Sequence, residues 1–209
     1  MKVARGDTMK RLMASLAASA IFLSPAGAMA KVELPSNVTT KPYGGGRNKV
    51  IDTIDYSFPV TKPIEFPRIK MCIASNVTNN EVQLSDSAGS FVGYSGTYYR
   101  TQNKQTVQGG GIFKYVDDAS KSIVAQGSVS RQGGLGGIIG LSIRFDLEVS
   151  SEGNTLKMRM FHIEQAMKNT GSSTNDGFMP IGVWTGSMYK KNIQALNGLA
   201  DQLKSCFVS

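Results

Sequence analysis

Residues 138–149 read Ile-Ile-Gly-Leu-Ser-Ile-Arg-Phe-Asp-Leu-Glu-Val, and this stretch decides the fold. From Ile139 to Val149, apolar side chains at every second position alternate with small or charged ones. Strict period two over such a length predicts a β-strand with one buried face and one solvent-facing face. Residues 150–154, Ser-Ser-Glu-Gly-Asn, are typical of a turn, so residues 156–163 are predicted to return as the antiparallel partner.

The same pattern extends upstream as further strands and hairpins. Residues 111–116 and 122–130 are predicted to pair around a turn at 117–121, and residues 91–100 and 50–58 are predicted as single strands. Residues 69–74, which include Cys72, also look like a strand, while Pro59, Pro63 and Pro67 indicate irregular chain up to Arg68.

One segment has helical periodicity. Between residues 187 and 206, apolar side chains recur at three- and four-residue spacing, as at Ile193, Leu196, Leu199 and Leu203. Residues 31–49 are rich in turn residues and are predicted to be an extended or flexible N-terminal segment. We therefore expect one α+β domain over residues 50–209, a twisted antiparallel β-sheet of hairpins with one C-terminal helix packed on it.

The hairpin strands also carry a resemblance to a known group of proteins. Residues 112–118 and 123–128, followed by 143–149 and 156–160, form an order of strands and turns that resembles exported bacterial domains of unknown function with a TATA-binding-protein-like fold. The resemblance covers residues 105–165 and implies neither an activity nor site residues. The chain departs from that pattern because its predicted helix follows the strands, whereas the resemblance implies a helix before them.

Residues 1–30 are predicted to be a secretory signal peptide. Four basic residues precede the apolar run 12–23, and Ala28-Met29-Ala30 is a small-x-small cleavage site, which places cleavage near Ala30. A transmembrane anchor is the alternative, but the run is shorter than the ~20 residues that a bilayer requires. We expect a periplasmic or secreted protein, translated from Met1 or Met9.

The charge distribution limits the possible partners. The full chain of 209 residues has a net charge of +8, and removal of residues 1–30 leaves 19 basic and 14 acidic residues, a net charge of +5. These charges are scattered, without the basic helix or basic-aromatic pattern of a nucleic-acid-binding protein. The predicted partner is a component of the cell envelope (protein, glycan or anionic lipid surface), with no nucleic acid and no nucleotide.

The two cysteines, Cys72 and Cys206, are predicted to form one disulfide. A disulfide is the simplest state of two cysteines in an exported protein, because an unpaired thiol oxidises in that compartment. The alternative is a nucleophilic cysteine partnered by His162, which is the sole histidine of the chain.

Catalytic chemistry is weakly indicated by the sequence. His162 alternates with apolar positions of a strand and is predicted to be a packed or surface residue, not a general base. Residues 133–140 lack the glycine spacing of a dinucleotide-binding loop and the Lys-Ser/Thr ending of a phosphate-binding loop. Residues 93–96 do not have the spacing of a nucleophile elbow. We expect no cofactor, no metal site and no catalytic residue, although dispersed carboxylates leave a hydrolase open.

Several side chains are candidates for contact with a partner. They are Tyr94, Tyr98 and Arg100 on the predicted strand 91–100, and Leu135, Ile138 and Ile139 in the glycine-rich loop. Tyr94 and Tyr98 are expected to share one face of the strand. Trp184 is expected to anchor the core, and residues 169–177 to be a solvated connection or a recognition loop.

Three functions follow as hypotheses. The first is a non-enzymatic exported protein with a binding or accessory role in the envelope. The second is an exported hydrolase with a dispersed site. The third is a protein that binds a lipid or membrane surface through the apolar glycine-rich loop.

Overall fold

The computed structural model describes residues 33–133 and 139–209. Seven antiparallel strands form the main sheet: β1 Val38–Pro42, β2 Lys49–Pro59, β7 Phe113–Asp117, β8 Ser122–Gly133, β9 Ile139–Glu152, β10 Thr155–Met167 and β11 Met179–Pro180. They lie in the order β1-β2-β10-β9-β8-β7, and the short β11 pairs with β10. Two small hairpins precede β7, formed by β3 Val82–Asp86 with β6 Asn103–Val107 and by β4 Phe91–Val92 with β5 Tyr98–Tyr99. The helices are α1 Phe66–Asn76 and α2 Tyr189–Val208.

The β9–β10 hairpin forms the centre of the sheet, as the alternation predicts. Glu152 pairs with Thr155 across a two-residue turn, in which Gly153 has a φ of +57°. Glycine adopts this left-handed conformation without steric cost. Leu141, Ile143, Leu147 and Val149 are all buried on one side of β9.

Both helices pack on that side of the sheet and enclose the core. Helix α2 buries a stripe of side chains comprising Ile193, Leu196, Leu199, Ala200, Leu203 and Phe207. These belong to one cluster with the inward side chains of β2, β8, β9 and β10. The predicted α+β class, with the C-terminal helix on an antiparallel sheet, is confirmed.

The predicted strand at residues 69–74 is wrong, because these residues lie in α1. Phe66, Ile69 and Ile73 are buried at helical spacing, and Pro67 occupies the first turn. Proline suits that position, since its missing N–H would have no partner there in any case. The domain therefore has two helices where one was expected, and Pro67 does not mark irregular chain.

The predicted disulfide between Cys72 and Cys206 is confirmed, with Cα atoms 5.7 Å apart. It joins α1 to α2, not a strand to α2. Arg68 strengthens the same junction: its Nη2 and Nε atoms donate hydrogen bonds to the Cys206 carbonyl oxygen at 2.8 and 3.2 Å. A cation here also complements the negative end of the α2 dipole.

The opposite side of the sheet, which we call the polar face, bears Arg144, Asp146 and Glu148. Part of it is covered by the β3–β6 hairpin, where Val82 and Leu84 pack with Ala166 in a small second cluster. The β9 face predicted to be solvated is therefore partly buried, and Ser142 and Asp146 are both in the interior.

Two further predictions are corrected by the strand assignment. Residues 31–49 contain β1, which pairs with β2 through contacts such as Thr40–Ile51, so the expected flexible segment contributes an edge strand. Residues 91–100 are not one strand. Gly96, with a φ of +80°, lies in a turn that reverses the chain between β4 and β5.

Candidate functional site

A polar cleft of about 490 Å³ opens where the polar face meets the base of the β3–β6 hairpin. Its floor includes side chains of β9 and β10, and its rim includes the end of the segment that follows α1. A cavity of this size is within the usual range for sites that bind small molecules.

Asp146, in the middle of β9, is the centre of the cleft's charge network. Its side chain is only 11% exposed, whereas that of His162 is 71% exposed. His162 Nδ1 lies 2.8 Å from Asp146 Oδ2, and Lys114 Nζ donates to Asp146 Oδ1 at 2.5 Å. The carboxylate thus orients the imidazole, and an imidazole held through Nδ1 presents Nε2 to other groups.

A β-bulge in β10 places His162 in this position. The pairing of β10 with β9 shifts register between Phe161 and Glu164, and His162 has a φ of +50°. This left-handed conformation is sterically costly for a residue with a Cβ. Bulges re-aim side chains beside functional sites, and backbone strain concentrates at such sites.

Two more ion pairs lie at the cleft. Arg144 Nη2 is paired with Glu164 Oε2, and Lys41 Nζ lies 3.0 Å from Asp52 Oδ1. The Arg144 guanidinium also sits over the Phe178 ring, 4.5 Å from its centroid. Each formal charge among these cleft residues therefore has an opposite charge beside it.

Uncharged polar groups complete the lining. Gln126 Nε2 donates to the Gly111 carbonyl oxygen at 2.9 Å, an arrangement that fixes the amide at the wall of the cleft. At the rim, Gly109 packs so closely on Asn79 that an added Cβ would lie 2.1 Å from the Asn79 carbonyl oxygen. The rim thus requires glycine at this position.

The sequence did not reveal this site. The sequence predicts that His162 is a packed or surface residue, and its side chain is exposed, but the sequence does not predict its contact with Asp146. The one available signal was that Asp146 and His162 lie in two strands predicted to pair. The bulge that brings them together has no sequence signature, because His162 is not a glycine.

The second candidate surface is an aromatic hairpin, residues Ser87–Thr101, which contains β4 and β5. The side chains of Phe91 and Tyr99 stack with ring centroids 4.9 Å apart. All its large apolar side chains are exposed, namely Phe91, Val92, Tyr94, Tyr98 and Tyr99. Tyr94 lies in the turn, fully exposed, so Tyr94 and Tyr98 do not share a face of one strand as expected.

Asp86 fastens the base of the aromatic hairpin. Its carboxylate accepts hydrogen bonds from Asn103 Nδ2 at 2.6 Å, from the Ala88 N–H at 2.9 Å and from the Asn175 N–H at 3.0 Å. These hydrogen bonds, that from Asn103 foremost, lower the pKa of Asp86 below its ordinary value. Residues 169–177 are thus a connection that also supports the hairpin.

The structure places some of the other predicted contact residues, and the rest lie outside the described part of the chain. Arg100 is exposed at the end of the aromatic hairpin. Leu135 and Ile138 lie outside the described residues, as does the side chain of Ile139, and residues 1–30 also lie outside them. Trp184 is not a core anchor: it is 42% exposed, with its ring covering Gly182.

Two features are absent from the described part of the chain. Within residues 33–133 and 139–209, no three His, Cys, Asp or Glu side chains converge as a metal site. In those same two stretches, no helix is both long and apolar enough to cross a membrane. No protein-family model, curated protein or solved structure matches the chain.

Proposed function

We propose that this chain is an exported, non-enzymatic protein that binds a protein of the cell envelope through its aromatic hairpin. The observation that carries the proposal is the exposure of five large apolar side chains on one fifteen-residue projection. Contiguous exposed apolar surface of this kind marks interaction sites in proteins.

The composition of the hairpin supports the same conclusion. Nine of its fifteen residues are Tyr, Ser or Gly, and Arg100 is its one charged residue. This combination is typical of antibody paratopes, because tyrosine gives a large contact area at low entropic cost and serine and glycine adapt around it. Exposed aromatic side chains are typical anchors of protein–protein interfaces, so this composition favours a partner protein.

Export is supported by the sequence of residues 1–30 and by the disulfide. The Cys72–Cys206 bridge is typical of oxidising compartments, since cytosolic reductants keep thiols reduced. Fractionation of cells that produce the full chain, with N-terminal mass spectrometry, tests this part. We expect a periplasmic or secreted product that begins at Lys31; an uncleaved cytoplasmic product would contradict export.

Site-specific photo-crosslinking tests the hairpin. A benzophenone side chain in place of Tyr94 is expected to form a crosslink to a specific envelope protein, and the Tyr98→Ser and Arg100→Ala substitutions should weaken it. Tyr115 on β7 is the matched control, because it is an exposed tyrosine outside the hairpin. Identical crosslinks from both positions, or none from position 94, would count against the proposal. Flotation of the pure protein with anionic vesicles tests the alternative of a lipid partner. Only a protein that binds the lipid surface will float with the vesicles.

One observation favours the second candidate, an exported hydrolase. In the Asp146–His162 contact, the carboxylate is placed as it would be if it oriented the imidazole as a general base. No serine, threonine or cysteine side chain in the described part of the chain is hydrogen-bonded to His162, so the base would act on water. Hydrolysis of a panel of ester and glycoside substrates, abolished by His162→Gln, would support this candidate over the first.

A further inference from the structure

The formal charges at the polar cleft are balanced. Lys41, Lys114 and Arg144 oppose Asp52, Asp146 and Glu164, so these six formal charges cancel. An anionic ligand would have to compete with a carboxylate for each cation, and a cationic ligand would meet a cation beside each carboxylate. Either exchange gives up an existing ion pair, so a charged ligand gains little net electrostatic energy in the cleft.

The uncharged lining requires a ligand that both donates and accepts hydrogen bonds. The amides of Gln126 and Asn79 each combine donors with an acceptor, and Gln126 uses one donor on Gly111. His162 adds Nε2, aimed by Asp146. Hydroxyl groups match such a lining, because each can donate and accept at the same time.

One wall of the cleft is apolar, and it completes the match. Val82, Val107 and Phe178 contribute to this wall and belong to the small second cluster. A sugar ring has hydroxyl groups at its edge and C–H groups on its faces, so it presents both kinds of surface. We propose that the cleft is a binding site for a neutral oligosaccharide, with His162 and Gln126 as contact residues and Asp146 as the residue that positions His162.

The strain at His162 gives the experiment its sharpest variant. Glycine adopts a φ of +50° without steric cost, so His162→Gly removes the imidazole and also removes the backbone strain. Loss of binding in this variant could not be attributed to misfolding, provided that its thermal stability is retained. Gln126→Ala tests the second contact, and Asp146→Asn tests the positioning of His162. The control is Arg159→Gln, because Arg159 lies on the same face, is not among the cleft-lining residues and has Asp55 as its ion-pair partner.

Isothermal titration is carried out on the oxidised protein with cellotriose, maltotriose and chitotriose. Trigalacturonate is the anionic comparator, and a capped tetra-alanine peptide tests the other neutral class of ligand. We expect at least one neutral trisaccharide to bind with a Kd below about 1 mM. Each contact variant should weaken its binding about tenfold or more, while Arg159→Gln leaves it unchanged.

Several results would overturn this inference. They are the absence of binding by all three neutral saccharides, tighter binding of trigalacturonate or of the peptide, and unchanged affinity in His162→Gly. The Tyr94→Ser variant separates this site from the proposed function, since the aromatic hairpin is not part of the cleft lining. Saccharide binding without a partner protein, or the reverse, would therefore be distinguishable.

Discussion

At the scale of single residues, His162 and Lys121 share an unusual backbone. They are the two non-glycine residues with positive φ in the described part of the chain, at +50° and +52°. A left-handed conformation destabilises a residue with a Cβ by about 1–2 kcal/mol. Substitution by glycine recovers only part of this energy, because glycine also increases the conformational entropy of the unfolded chain.

We expect Lys121→Gly to stabilise the protein by about 0.5–1 kcal/mol in urea unfolding. His162→Gly should be about 1 kcal/mol more stable than His162→Ala, since both lose the contact with Asp146 but only alanine keeps the strain. Equal stability of the two His162 variants would show that the backbone there is relaxed.

The same scale explains what the sequence could and could not predict. The alternation from Leu141 to Val149 predicts the central strand, because burial on one side forces period two. It does not predict that Asp146 is buried as well, since its side chain lies against Lys114 of β7 and His162 at the bulge in β10, and no pattern within β9 specifies these contacts. The short apolar run around Cys72 fits a strand or a helix equally, and only Phe66 and Pro67 mark it as helical.

At the scale of elements, the aromatic hairpin depends on one carboxylate. The pKa of Asp86 is lower in the folded protein than in the unfolded chain because Asn103, Asn175 and Ala88 donate hydrogen bonds to the ionised form. Its contribution to stability is therefore complete above the unfolded value of about 3.8 and is lost as the pH falls through the lower folded value.

Asp86→Asn checks this dependence. The stability difference between the wild type and this variant should be largest at pH 7 and should shrink below about pH 4. Urea unfolding at both pH values measures it, and the other acidic groups cancel because both proteins contain them. A difference that stays constant with pH would mean that the ionised carboxylate does not fasten the hairpin.

The β3–β6 hairpin has a much smaller core than the helical side. Leu84 is buried there with Val82 and Ala166, whereas Leu147 belongs to the large cluster under the helices. We expect Leu84→Ala to cost about 2–3 kcal/mol and Leu147→Ala nearer 4–5 kcal/mol, since fewer neighbours surround the cavity at Leu84.

Hydrogen exchange distinguishes local from global loosening at these two sites. Leu84→Ala should expose the amides of β3 and β6 while β9 and β10 stay protected, as is usual for a cooperative unit of low stability. Equal loss of protection throughout the sheet would show that the two layers unfold together.

At the scale of the whole molecule, the two faces of the sheet have different roles: one supplies stability and the other carries the candidate binding surfaces. The helical face holds nearly all of the buried apolar side chains, and the polar face carries both the cleft and the support of the aromatic hairpin. Binding surfaces can therefore remain polar or exposed because stability is supplied from the other side. The disulfide lies on the helical face, away from the cleft-lining residues.

This separation predicts the effect of removing the disulfide. The bridge closes a loop across a sequence separation of 134 residues, so Cys206→Ser should cost about 2–5 kcal/mol by releasing the unfolded chain from that constraint. Reduction of the wild type should have the same effect, while dithiothreitol should not change the stability of a Cys72→Ser, Cys206→Ser double variant. Limited proteolysis should then cleave α2 first, because the helix is C-terminal and loses its link to α1.

Saccharide titration at a temperature where the variant is still folded should give the wild-type affinity, since neither cysteine lines the cleft. A large loss of affinity in the folded variant would show that the two faces are coupled through the sheet.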